Sequence, residues 1–117
     1  MSQIDLYPIA NLLLPEVLVK YFDLTSHKTQ LEELHFYFQE RNDLPVEYKR
    51  GKATSKGFYK EITIQDFPIR GKQVYLHVKR RRWQDNTTGS IVTRDWDLVA
   101  KGTRMTKEFA TFLKQIY

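Results

Sequence analysis

Ile64–Trp83, IQDFPIRGKQVYLHVKRRRW, holds the best turn signal, the cleanest strand and the densest positive charge of the chain. Asp66-Phe67-Pro68 and Arg70-Gly71-Lys72 punctuate a tight reversal, because proline fixes φ and glycine accepts φ > 0. Val74, Leu76 and Val78 then alternate with Gln73, Tyr75 and His77, the period of a half-buried strand. The same parity carries Arg80 and Arg82 onto the apolar face. Two unpaired guanidinium groups are too costly to bury, so the strand is expected to leave the core by Lys79. Lys79, Arg80, Arg81, Arg82 and Trp83 then form an overhanging binding arm.

Upstream, Phe58 to Gln65 reads as a strand with Ile62 and Ile64 inward, pairing with 73–79 as an antiparallel hairpin around Phe67-Pro68. Downstream, Gln84 to Gly89 is a turn-rich loop in which Gly89 takes the left-handed position. Ile91 to Leu98 is read as a returning strand, with Val92, Trp96 and Leu98 on one side and Arg94 inserted. Its first part, Ile91–Arg94, with Lys79–Trp83 makes a two-stranded ribbon whose overhang reaches about 15 Å, enough to enter a major groove about 12 Å wide.

The flanks read as follows. Ile9, Leu12 and Leu13 share a helical face after Pro8, and Pro15 restarts a helix carrying Val17, Leu18, Tyr21 and Phe22. Asp23 to Gln30 is polar and reads as a connection. Leu34, Phe36 and Phe38 alternate as the inward face of a strand. Arg41 to Lys56 is a polar stretch made basic by Lys49, Arg50, Lys52 and Lys56. At the end of the chain Phe109, Phe112, Leu113 and Ile116 recur at helical spacing, with Thr103 or Thr106 as the cap. Lys101, Arg104 and Lys107 surround the start of that helix, where its N–H groups also favour phosphate.

At 117 residues the chain fits one domain, and 41% hydrophobic with 14% aromatic content places it outside the disordered class. Its longest apolar run, Leu12-Leu13-Leu14, is far short of the roughly 18 residues of a membrane span, and MSQIDLYP lacks the pattern of a signal peptide. A cytoplasmic, nucleoid-associated location is the expectation. The net charge of +5 is divided unevenly: residues 1–47 hold 3 Lys/Arg against 8 Asp/Glu, and residues 48–117 hold 16 against 6. That polarity suggests a partner with a phosphate backbone facing the second part.

Catalytic and metal chemistry find little support. His27, His35 and His77 stand in separate segments and there is no cysteine, so neither a disulfide framework nor a thiolate metal site is available, and no metal or other cofactor is expected. Asp66, Asp95 and Asp97 are the carboxylates a two-metal nuclease would use, but their spacing favours salt bridges that orient arginines. No nucleophile elbow or glycine-rich phosphate loop occurs.

The run from Gly57-Phe58 through Ile62-Thr63-Ile64-Gln65-Asp66-Phe67-Pro68-Ile69-Arg70-Gly71-Lys72 to Leu76-His77-Val78-Lys79-Arg80-Arg81-Arg82-Trp83 also carries a family resemblance. With Arg94-Asp95-Trp96, Leu98 to Phe109 (LVAKGTRMTKEF) and the early Leu12 to Glu16 (LLLPE), it resembles the N-region proteins of ISAon-type insertion-sequence transposases, from about Leu12 to Leu113. The central block is also similar to the amino-terminal zinc-ribbon domain of ISL-class transposases. Two cysteine pairs flank the corresponding run there. Here the first falls in the cysteine-free segment 41–56 and the second is replaced by Trp83 to Gly89. The resemblance therefore implies a ribbon held by packing instead of metal, with Trp83, Trp96 and Tyr75 as the replacement core.

The resulting expectation is an α+β domain: a small antiparallel sheet, zinc-ribbon-like without metal, between N- and C-terminal helices. The resemblance implies a non-catalytic accessory half of a split transposase that recognises the terminal inverted repeats of its element in duplex DNA, alongside a separate catalytic subunit. Arg70, Lys72, Lys79, Arg80, Arg81, Arg82, Trp83, Arg94, Lys101, Arg104 and Lys107 are the candidate DNA contacts, arginines for guanine edges and lysines for phosphates. A protein-interaction subunit that docks the catalytic transposase through the acidic first part is the alternative.

Overall fold

A computed structural model of the chain describes residues 16–48, 50–101 and 107–115. Its elements are α1 (Glu16–Tyr21), β1 (Phe22–Gln30), β2 (Glu33–Glu40), β3 (Ala53–Phe58), β4 (Ile62–Ile69), β5 (Lys72–Lys79), β6 (Arg81–Asp85), β7 (Ile91–Val92), α2 (Trp96–Lys101) and α3 (Lys107–Leu113). The class is α+β, but the strands form two sheets. One has the order β1-β2-β5-β4 and the other β3-β6-β7. The first is mixed: β2 and β5 run parallel, with Leu34 opposite Val74 and Phe38 opposite Val78.

Alternation of side chains builds the first sheet. Phe38, Ile62, Val74, Leu76 and Val78 are buried on its inner face, with Leu34, Phe36 and Ile64 packed alongside. The helices close that face with Val17 and Leu18 from α1, Trp96 from α2 and Phe109, Phe112 and Leu113 from α3. Trp96 lies flat on Phe22, ring centroids 5.6 Å apart.

Three local readings are corrected. Asp23–Gln30 is part of a strand: β1 pairs antiparallel with β2 through the Leu31-Glu32 turn and supplies an edge with little burial beyond Phe22 and Leu24. The reversal between β4 and β5 falls at Arg70-Gly71, both with positive φ (49° and 77°), while Phe67 and Pro68 lie in the irregular step of β4 between Asp66 and Ile69. The stretch Ile91–Leu98 is a strand for two residues only. Asp95 then accepts the backbone N–H groups of Asp97 and Leu98 and starts α2, as an N-cap aspartate does.

Gly89 has the positive φ expected of it, 77°. Phe109, Phe112 and Leu113 form the buried stripe of α3. The helical reading of Pro8 to Pro15, the proposed caps Thr103 and Thr106, and Ile116 lie outside the described residues.

Candidate nucleic-acid interface

The cationic run does not overhang the core. After Lys79 the chain bends out of the first sheet and β6 enters the second, so Arg80 falls in the seam between them, fully buried. Its Nη1 donates to the carbonyl of Leu113 at 2.7 Å, fastening the end of α3, and its guanidinium lies 5.2 Å from the Tyr59 ring. Arg81 donates Nε to the carbonyl of Glu40 and Nη1 to Ser55 Oγ, and stacks on Phe58. Trp83 is fully buried and donates its indole N–H to Asn42 Oδ1 at 2.9 Å. Desolvation of a guanidinium is tolerable here because each has carbonyl, hydroxyl or ring partners.

Arg94 is also interior. Its Nε donates to Glu40 Oε2 at 2.8 Å, Nη2 donates to the carbonyl of Asp43, and the guanidinium lies 4.8 to 5.9 Å from the rings of Tyr21, Trp83 and Trp96. Glu40 is fully buried, and its other oxygen accepts the backbone N–H of Arg81. Burial pushes the Glu40 carboxyl above its ordinary value, and the bonds from Arg94 and Arg81 pull it part of the way back. Arg80, Arg81, Trp83 and Arg94 are therefore corrected from arm residues to core and inter-sheet residues.

The remaining candidates scatter. Arg70 is exposed at the β4–β5 turn, Lys72 and Lys79 are half-buried at opposite ends of β5, and Lys101 is exposed at the end of α2. Arg104 lies outside the described residues, and Lys107 opens α3. Arg82 is half-buried, 5.6 Å from the Tyr59 ring, with no carboxylate in ion-pair range among the described residues.

Arg82 gathers neighbours that sequence reasoning treated only as a basic stretch. In the second sheet Thr54 stands opposite Gln84 and Gln84 opposite Ile91, on the side away from Trp83. Alternation along β6 puts Arg82 on that same outward side. Arg50 and Lys52 lead into the edge strand β3, Lys56 sits in its irregular step, and Lys60 follows it; all four are exposed and unpaired among the described residues. From Lys52 to Lys60 extended chain spans at most roughly 27 Å. A cleft of about 580 Å³ opens beside β3, lined among others by Asn42, Tyr48, Arg50 and Thr54. The available signal was the recurrence of Lys/Arg at 50, 52, 56 and 60 with Glu61 the first acid after them.

Carboxylates form no second site. Asp66 accepts the backbone N–H of Phe67, Asp95 caps α2, and Asp97 pairs with Lys114 at 3.1 Å. Among the described residues no three His, Cys, Asp or Glu side chains converge as metal ligands, and no helix is long and apolar enough to cross a membrane.

Residues 50–84 match a family model described as the zinc-finger of transposase IS204/IS1001/IS1096/IS1165. No curated protein and no solved structure matches the chain. The match spans β3 to β6 and contains ten Lys/Arg against two Asp/Glu. A zinc ion does not fit this version: with no cysteine in the sequence, the ends of the matched segment are joined by hydrogen bonds. Asn86 is the pin. Its Nδ2 donates to the carbonyl of Gly51, its Oδ1 accepts from Thr54 Oγ1 and its backbone N–H donates to the carbonyl of Lys52, each at 2.9 Å. Of the replacement core, Trp83 and Trp96 are buried as the resemblance implies, whereas Tyr75 lies on the outer face of the first sheet. The match supports a relation to the amino-terminal region of ISL-class transposases.

Proposed function

We propose that the chain is a non-catalytic, duplex-DNA-binding module of an insertion-sequence transposase, acting beside a separate catalytic subunit and recognising the ends of its element. The observation that carries this reading is the row of unpaired cations at Arg50, Lys52, Lys56, Lys60 and Arg82, inside the segment similar to a transposase zinc finger. Cations without carboxylate partners are free to neutralise DNA phosphates and release the counterions condensed on them, whereas Arg80, Arg81 and Arg94 are occupied inside the fold. Arg82, held against Tyr59, is the member with a fixed approach, and it is our candidate for a guanine edge. Arg70, Lys72, Lys79 and Lys101 are further phosphate contacts in this reading.

Edge-strand lysines also discourage strand-to-strand aggregation, so their presence alone has a structural explanation. A mobility-shift assay separates the two. Lys56→Ala combined with Arg82→Ala is expected to lower affinity for element-end duplex at least tenfold, with Lys114→Ala as an unaffected control. Unchanged affinity in the double variant would leave the lysines as edge protection and favour the protein-docking alternative.

A further inference from the structure

The outer face of the first sheet carries a feature that duplex binding does not use. His35 and Tyr37 on β2 and Tyr75 and His77 on β5 project away from the core, because their neighbours Leu34, Phe36, Phe38, Leu76 and Val78 point inward. Tyr75 stacks on His35 at 5.0 Å, His35 on His77 at 5.0 Å and His77 on Tyr37 at 4.4 Å, each pair within 17° of parallel. His35 Nδ1 and His77 Nε2 share a hydrogen bond of 2.7 Å, and His77 Nδ1 bonds Thr63 Oγ1 at 2.9 Å. These bonds fix the rings in one orientation.

We propose that this four-ring stack is a second nucleic-acid surface, which takes the bases of single-stranded DNA. Three observations carry it. The position across from each terminal ring bears no ring: Ser26 of β1 stands opposite Tyr37, and Gln65 of β4 opposite Tyr75. A base placed there continues a stack that is already ordered, and stacking tolerates any base because each has a π-face. Lys28, opposite His35, and Lys79, two residues beyond His77, lie on this same face within reach of a phosphate chain, beside the carboxylates of Asp23, Glu33 and Glu61. The arrangement is also not one of maximal stability, since His35 Nε2 is buried without a hydrogen-bond partner, 3.7 Å from the Glu33 carboxylate. A four-stranded sheet presenting aromatic side chains is a general solution for binding unpaired bases.

The four rings are separate from the cation row of the second sheet, with only Lys79 named in both readings, so loss of the rings leaves the duplex row intact. Fluorescence anisotropy with a labelled oligodeoxythymidylate and a labelled hairpin duplex tests it. Tyr37→Ala and Tyr75→Ala are each expected to weaken oligodeoxythymidylate binding about tenfold. The duplex affinity should stay within about twofold, and Tyr37→Phe and Tyr75→Phe should bind as the wild type does. With Lys28 and Lys79 engaged, the salt slope for the single strand should be near −1.4. Photocrosslinking of a bromodeoxyuridine oligomer to the wild-type protein should place the adduct on Tyr37 or Tyr75, which needs no variant to fold. Failure of the wild type to bind the oligomer, folded alanine variants that bind it normally, an adduct elsewhere, or tighter binding of oligouridylate would each overturn the proposal.

Discussion

Arg94→Met is the sharpest perturbation of this fold. Glu40 is fully buried and Arg94 is 7% exposed, so water offers the carboxylate little relief when its partner is removed. The bond from Arg94 Nε at 2.8 Å is lost, leaving the backbone N–H of Arg81 at 2.9 Å. Breaking a buried pair in this way costs about 3–5 kcal/mol, a large part of the 5–15 kcal/mol that holds a typical domain together. At roughly 4–8 °C per kcal/mol for a domain near this size, the thermal midpoint should fall by more than about 10 °C.

The effect has a pH signature. Burial raises the Glu40 carboxyl above its ordinary value of 4.5, so the folded state holds this proton more tightly than the unfolded state does. That contribution to stability is fully present below 4.5 and is lost as pH rises through the raised value. Arg94 lowers the carboxyl, so removing Arg94 raises it further, and the deficit of the variant should grow between pH 5 and pH 7. Urea titrations followed by the fluorescence of Trp83 and Trp96, both beside Arg94, would measure it. Adding Glu40→Gln removes the charge and should recover part of the loss. A single variant within about 1 kcal/mol of wild type at both pH values, or no recovery in the double variant, would refute the buried-pair account.

Arg80→Ala and Arg82→Ala should separate: the first removes the hold on Leu113 and should cost at least about 2 kcal/mol, while the second should stay near 0.5 kcal/mol in chemical denaturation. Asn86→Ala deletes two side-chain bonds and should cost about 1–2 kcal/mol, whereas a chelator should leave the melting curve unmoved; chelator-induced unfolding would overturn the pin. Burial first, and His35 after it, lower His77 below its ordinary 6.5 while Glu61 opposes them, so the fold binds this proton less tightly than the unfolded chain. Stability should therefore decline as pH falls below about 6.5, and His77→Gln should flatten that decline in melts between pH 7 and pH 5.

The elements legible in the sequence were those whose periodicity reflects one buried face. Val74, Leu76 and Val78, Leu34 to Phe38, and the Phe109-Phe112-Leu113 stripe all lie where their spacing put them. β1 was not legible, because an edge strand with exposed Ser26, His27, Lys28 and Thr29 has no hydrophobic alternation to display, and its register comes from β2. α2 was missed although Asp95 is a good N-cap, since Val92, Trp96 and Leu98 also fit a period of two. The arginine run failed for a different reason. Parity placed Arg80 on the buried side as it is found, but the chain changes sheets after it and Arg82 faces outward. The cost of an unpaired buried guanidinium was sound, and Glu40, the Leu113 carbonyl and the Tyr59 ring, distant in sequence, supply the partners of Arg81 and Arg80. The cation row at 50, 52, 56, 60 and 82 depends in the same way on β3 pairing with β6.

The salt dependence of duplex affinity tests the central claim most directly. Five unpaired cations, Arg50, Lys52, Lys56, Lys60 and Arg82, displacing one counterion each contribute about −4.5 to the slope of log K against log salt, and each further contact from Arg70, Lys72, Lys79 or Lys101 steepens it by about 0.9. Replacing Lys56 and Arg82 with alanine should reduce it by about two units, and replacing Lys114 should leave it unchanged. A wild-type slope near zero, or the same slope in the double variant as in the wild type, would contradict the account.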